Sequence, residues 1–68
     1  ADLIDAANDK IALIPAADDI TDANKAAAKT AVSDAETAVN AAKAKGAVDS
    51  DFPNLAKIQL AQEKIDAV

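Results

Sequence analysis

Apolar residues in the first part of the chain recur at helical spacing. The first stripe alternates spacings of three and four and consists of Ile4, Ala7, Ile11 and Ile14. A helix would place these residues on one face. Pro15 follows and disfavours helical geometry at the residue before it. The pattern therefore predicts a first helix over residues 2–14.

The second stripe is longer and keeps the same alternation. Its members are Ala28, Val32, Ala35, Val39 and Ala42, with Ala31 and Ala38 beside it. Thr21 precedes the stripe as an N-cap residue, and Gly46 follows it with the residue type that suits the left-handed position after a helix. These signals predict a second helix over residues 22–45, the longest of the chain.

The third stripe occupies the last part of the sequence. It consists of Leu55, Ile58, Ala61, Ile65 and Val68. Pro53 suits the first turn of a helix, because the N–H that it lacks would have no intrahelical partner there. The pattern predicts a third helix over residues 53–67. Phe52, just before it, is the one large ring that can close the end of a bundle.

Three amphipathic helices joined by short connections pack most simply as an up-down-up bundle. The predicted fold class is therefore all-α, with residues 1–68 forming a single three-helix domain. Alanine accounts for 20 of the 35 hydrophobic residues, and burying alanine removes little apolar surface from water. We therefore expect a thin core, with helix propensity supplying part of the stability.

The third stripe also predicts how copies of this domain would join. If a second copy followed Val68 directly, its Ile4, Ala7 and Ile11 would stand at positions 72, 75 and 79. These positions continue the third stripe with the same alternation of three and four. We therefore expect one module of a larger chain, whose third helix runs into the first helix of a neighbouring module. The alternative is a chance match, because helical spacing offers few registers.

The charge composition excludes several partners. The net charge is −5 at pH 7, and all seven basic residues are lysines. Without arginine the chain lacks the bidentate phosphate-binding side chain on which nucleic-acid-binding proteins usually rely. We therefore expect neither nucleic acid nor an anionic membrane surface as a partner. Membrane insertion is not expected either, because no apolar run approaches the ~20 residues of a spanning helix. The absence of cysteine leaves the compartment open.

Four short segments carry a resemblance to a known family. They are Ile11-Ala12-Leu13-Ile14-Pro15, Asp19-Ile20-Thr21, Lys25-Ala26-Ala27 and Asn54-Leu55-Ala56-Lys57-Ile58. Together they resemble FIVAR-type three-helix modules of Gram-positive bacterial surface proteins, which carry an ALP…IT opening and an NLAKL third helix. The resemblance covers nearly the whole chain. It implies an extracellular parent protein at the cell surface or in the cell wall, in which the module is a spacer, a stalk or an adhesive unit. Residues 33–35 depart from the aromatic and arginine residues often found in the second helix of the family, so no family ligand surface is carried over.

Residues for catalysis are scarce. The chain has no His, Cys, Tyr or Arg, so a nucleophile would have to be Ser33 or Ser50 beside carboxylates or lysines. The carboxylates at residues 18–19 and 49–51 would need a desolvating cleft for acid–base work, and a bundle this small has no room for one. We expect no enzyme activity, no catalytic residue and no cofactor, with these acids serving as caps and solvated loop residues.

Calcium is the metal that the acidic connection at residues 49–51 would favour. An EF-hand loop beginning at Asp49 needs glycine at its sixth position and glutamate at its twelfth. The chain has Asn54 and Leu60 there. We therefore expect no built metal site.

Three apolar residues lie off the predicted stripes and form a candidate partner face: Leu13, Ala56 and Leu60. Partner-binding helices present exposed apolar residues at i and i+4, as Ala56 and Leu60 are placed. The alternative, which we favour at this point, is that each helix turns two adjacent faces to the core and buries the two leucines.

The sequence thus favours a non-catalytic structural or spacer module that contacts neighbouring modules of its own chain. The alternative is a binding module for a host or surface protein, of the albumin- or immunoglobulin-binding type, although hot-spot aromatic and Arg residues are few. Adsorption to ice is disfavoured, because it calls for regularly spaced threonines and only three occur, at positions 21, 30 and 37.

Overall fold

The longest helix is the central element of the structure, and the other two helices pack against it. The computed structural model describes residues 2–68. Helix α1 spans Asp2–Ala12, α2 spans Lys25–Ala44 and α3 spans Ala56–Ala67, with short 3₁₀ turns at Ala17–Asp19 and Asp49–Asp51 in the two connections. This is an all-α three-helix bundle, which confirms the predicted fold class. Residues 2–68 contain no β-strand.

The three helices alternate in direction. The start of α1 lies beside Ala42 and Lys45 near the end of α2, so these two helices run antiparallel. At the opposite end of the bundle, Lys25 Nζ donates a hydrogen bond of 3.3 Å to the Val68 carbonyl, which places the end of α3 beside the start of α2. The bundle is elongated and measures 36 × 17 × 15 Å.

The core follows the predicted stripes. All five members of the second stripe are buried, and Ala31 and Ala38 beside it are half-buried. Helix α1 and the turn after it bury Ala7, Ile11 and Ile14, and α3 buries Ala61 and Ile65. The remaining stripe residues are partly buried and pack against this cluster: Ile4, Leu55, Ile58 and Val68. Three of the five buried α2 residues are alanines, so α2 contributes little side-chain volume to the core.

Two further core residues come from the connections. Phe52 is only 2% exposed, as expected for a ring that closes the bundle, and it is the largest fully buried side chain. Ile20 is 1% exposed, although it lies between two predicted helices and was not placed in the core by the helical pattern. Each connection therefore contributes one large apolar side chain to the core.

Helix α1 ends two residues earlier than predicted. The expected end was residue 14, but the N–H groups of Leu13 and Ile14 donate to carbonyls three residues back, at 3.1 Å each. The last turn thus tightens to 3₁₀ geometry, which is common at helix ends. Pro15 then begins the connection.

Helix α2 begins three residues later than the predicted position 22, because residues 21–24 form a capping turn. The Thr21 hydroxyl accepts from the Ala23 N–H at 3.3 Å, and the Asn24 side-chain oxygen accepts from the Thr21 N–H at 2.7 Å. The Asn24 bond matches one half of a capping box, in which the side chain three residues on accepts from the N-cap N–H, whereas the Thr21 hydroxyl accepts from the N–H only two residues on. The Asn24 amide also donates to the Asp19 carbonyl at 2.8 Å, which ties the turn to the preceding 3₁₀ segment.

Gly46 ends α2 in the manner that the sequence predicts. Its φ of 103° lies in the left-handed region. Its N–H donates to the Lys43 carbonyl at 3.0 Å, and the Ala47 N–H donates to the Ala42 carbonyl at 3.1 Å. These two bonds are those of a Schellman motif with glycine at C′. The last regular helical residue is Ala44, one before the predicted end.

Helix α3 begins at Ala56, three residues after the predicted start. The Leu55 N–H donates to the Phe52 carbonyl at 3.0 Å, so residues 53–55 form a tighter turn before the regular helix. Pro53 lies in this turn, where no N–H is required of it. All three predicted helices are present, and the differences are confined to their ends.

Candidate interaction surfaces

Leu13 and Leu60, two members of the predicted partner face, are strongly exposed. Leu13 is 69% exposed and Leu60 is 56% exposed, so the interpretation that the core would bury them is wrong. The physical reason is their position: Leu13 lies in the turn after α1 and Leu60 on the flank of α3, and both are outside the buried stripes of their segments.

The three predicted face residues do not line one cleft. Ala56 and Leu60 share a shallow cleft of about 380 Å³ with Pro53 of the same segment and with Ala16 and Ala17 of the first connection. The apolar wall of this cleft comes from two segments distant in sequence.

Leu13 instead lines a smaller depression of about 180 Å³ between α1 and α2. The charged side chains of Lys10 and Asp34 also line that depression. The candidate face is therefore divided between two sites on the surface.

A surface groove lies between α2 and α3, and the sequence pattern alone did not single it out. Its volume is about 410 Å³. Its floor is apolar and is made by Val39, Leu55 and Ile58. Val39 is 4% exposed, whereas the other two residues are half-buried. We call this site the α2–α3 groove.

Polar side chains form the rim of the α2–α3 groove. They are Glu36, Asn40 and Lys43 from α2, and Gln59 and Gln62 from α3. The amide of Gln59 donates to Glu63 at 3.3 Å and the amide of Gln62 donates to Asp66 at 3.2 Å, each one helical turn along. These bonds keep the Gln59 and Gln62 side chains along the axis of α3, so they do not cover the groove.

The acidic connection at residues 49–51 has local structural contacts. Asp49 forms an ion pair with Lys43. The Asp51 carboxylate accepts a hydrogen bond of 3.0 Å from the Val48 N–H, and its backbone carbonyl accepts one of 3.1 Å from the Asn8 side chain. The Asn8 bond fastens α1 to the second connection, and no sequence pattern predicted it.

The structure shows where the residues considered for catalysis and metal binding lie. Ser33 and Ser50 are both exposed. Every carboxylate side chain in residues 2–68 belongs to an exposed residue except that of Asp51, which is half-buried. No group of three or more potential metal-ligating side chains lies together in this part of the chain.

None of the helices between residues 2 and 68 is both long enough and apolar enough to cross a bilayer. Comparison of the chain with protein-family models, with curated proteins and with solved structures gives no match.

Proposed function

We propose that this chain is a non-catalytic structural module, a spacer within a bacterial surface or secreted protein, arrayed in tandem with similar modules. The observation that carries the proposal is the position of the two ends of the domain. Asp2 lies beside Lys45 at one end of the 36 Å bundle, and Val68 lies beside Lys25 at the other. Copies joined head to tail would therefore add length rather than fold back on one another.

Two further observations support this role. The apolar stripe of α3 continues in register into α1 of a following copy, so a shared helix can pass from module to module. The exposed carboxylates keep the surface charged, and a net charge away from zero keeps a domain soluble. The surface or secreted setting rests on the resemblance to FIVAR-type modules.

The test compares one module with two copies joined directly, so that Val68 is followed by Ala1 of the second copy. A matched control inserts Gly-Pro at the junction, which interrupts a shared helix. At equal module concentration the direct fusion should melt above the single module and above the control. Small-angle X-ray scattering should give a longest dimension of about twice 36 Å. A direct fusion that melts no higher than the single module contradicts the proposal.

A protein-binding role is the second candidate, and the exposure of Leu60 favours it. With Ala56 and Pro53 this leucine lines an apolar cleft at the surface, the kind of site that an apolar partner residue can fill. A pull-down from serum with the immobilised domain tests this role. Recovery of one protein at micromolar affinity, lost on Leu60→Lys but kept on Leu13→Lys, would replace the spacer role with a binding role.

A further inference from the structure

The two ends of α2 carry exposed residues of opposite charge. Asp22 lies in the capping turn before α2, and its side chain is 84% exposed. Lys45 is the exposed residue that follows the last helical residue. Each charge suits its place, because the start of a helix attracts anions and its end attracts cations. In residues 2–68, Lys45 forms no ion pair, and Asp22 has only a 3.7 Å contact with the exposed Lys25.

A head-to-tail array would bring these two ends together, so a contact between them rests on the proposed spacer role. The helix that joins two copies has no residue that favours a break. The Val68 N–H donates to the Lys64 carbonyl at 3.1 Å, so the helical hydrogen bonds of α3 reach the last residue. Residues 1–14, which would follow, contain neither glycine nor proline.

The helical repeat sets the side of the shared helix on which the second bundle lies. Ile65 faces the core at the end of α3. Ile4 of the following copy would stand seven residues later, and its Ile11 fourteen residues later. At 3.6 residues per turn, these positions return to within about 20° and about 40° of the direction of Ile65. Both bundles therefore lie on the same side of the shared helix, and the start of one α2 faces the end of the next.

The rise of the shared helix sets the distance between these two ends. Ile65 lies beside Ala26, the second residue of α2, and Ile4 lies beside Ala42, two residues before its last. Seven residues rise about 10 Å along a straight helix, and the overhangs of one and two residues shorten the gap between the two α2 helices to about 6 Å. This is little more than one helical turn. The capping turn before one α2 therefore meets the Schellman motif after the other.

We infer that consecutive modules bind each other end to end, and that Asp22 of one module forms an ion pair with Lys45 of the next. The positive end of one helix dipole faces the negative end of the other, which favours the same stacking. Leu3 adds an apolar contact. It is 43% exposed in the single domain, but in the shared helix it would stand three residues after Val68, on the same face.

Charge reversal in the direct fusion of two copies tests this contact. Asp22→Lys in the first copy and Lys45→Asp in the second copy each place like charges at the junction. The matched controls are the same substitutions in the opposite copies, where both residues lie at the free ends. Effects within one module, such as loss of the Asp22–Lys25 contact, are then the same in both placements. At low ionic strength each junction variant should melt at least about 2 °C below its matched control.

The double variant gives the second readout. Asp22→Lys in the first copy together with Lys45→Asp in the second restores opposite charges at the junction. It should recover at least half of the melting-temperature difference that the two single variants show against their controls. The same pair of substitutions at the free ends should have simply additive effects. In 1 M salt the difference between the two placements should vanish, because the ion pair is exposed and screened.

The outcomes separate this contact from the spacer role. If the direct fusion melts above the single module and above the Gly-Pro control, yet both placements of each substitution have equal effects, the ion pair is overturned and the spacer role stands. If the direct fusion melts no higher than the single module, both are overturned. A junction difference without recovery in the double variant also overturns the pair of Asp22 with Lys45.

Discussion

Replacing Phe52 with alanine should remove most of the stability of this domain. The ring is 2% exposed and is the largest side chain in the core. Truncation of a buried phenylalanine to alanine costs about 3–5 kcal/mol, because apolar contacts are lost and a cavity remains. A domain of this size has a net stability of only about 3–5 kcal/mol. The free energy of unfolding of Phe52→Ala should therefore be close to zero at 25 °C.

Circular dichroism with urea titration measures this effect. In water, part of the Phe52→Ala population should already be unfolded before urea is added. Trimethylamine N-oxide favours the folded state, so adding it should restore a measurable unfolding transition. The loss in the free energy of unfolding can then be determined from that transition. Phe52→Leu keeps most of the volume and should cost less than about 1.5 kcal/mol. It should lower the melting temperature by roughly 4–8 °C for each kcal/mol lost.

Leu13→Ala is the matched control, because it also removes a large apolar side chain but at a position 69% exposed. It should change stability by less than about 0.5 kcal/mol. The reasoning would be refuted by a Phe52→Ala variant that unfolds cooperatively with a free energy within about 1 kcal/mol of the parent. Such a result would mean that the buried residues of α2 hold the bundle together without the Phe52 ring.

Substitutions of Ile20, Gly46 and Asn24 test the connections and the helix ends, each measured by urea titration. Ile20→Ala should cost about 2–5 kcal/mol, because this side chain is fully buried, whereas Leu60→Ala should cost less than about 0.5 kcal/mol; equal losses would contradict the burial pattern. Gly46→Ala should destabilise by about 1 kcal/mol through the positive φ alone, since an added Cβ meets no atom within 4 Å; no change would argue against the left-handed cap. Asn24→Ala should cost about 1 kcal/mol, and Asn24→Asp should recover part of it, because aspartate keeps the acceptor for the turn but cannot donate to the Asp19 carbonyl. Full recovery with aspartate would show that the bond to Asp19 contributes nothing.

The ends of the helices show which features can be predicted from residues that are neighbours in sequence. Gly46 was placed correctly because a left-handed residue after a helix is a local requirement that glycine meets at low cost. Thr21 was identified as a cap, yet the regular helix begins only at Lys25, because Asn24 turns its side chain back to the Thr21 N–H and to the Asp19 carbonyl. That choice of partners depends on the path of the preceding connection, which helical periodicity does not describe.

The exposure of Leu13 and Leu60 is a second feature that local sequence signals could not predict. Leu13 and Leu60 are as apolar as core residues, and a wider core would have buried them. Whether a second face of each helix fits inside depends on how the three helices pack together, which the periodicity of a single helix does not describe. The division of the predicted partner face between two clefts likewise follows from the route of the first connection past α3.

The sequence by itself determined three helices and the face that each turns inward, because helical periodicity is a local property that repeats along the chain and needs no knowledge of a partner. Only the tertiary structure decided that Ile20 joins the core, that Asn8 bonds to the second connection and that a groove opens between α2 and α3. Each of these features brings together residues distant in sequence. Their meeting depends on how closely alanine-rich helices pack and on where the connections cross them.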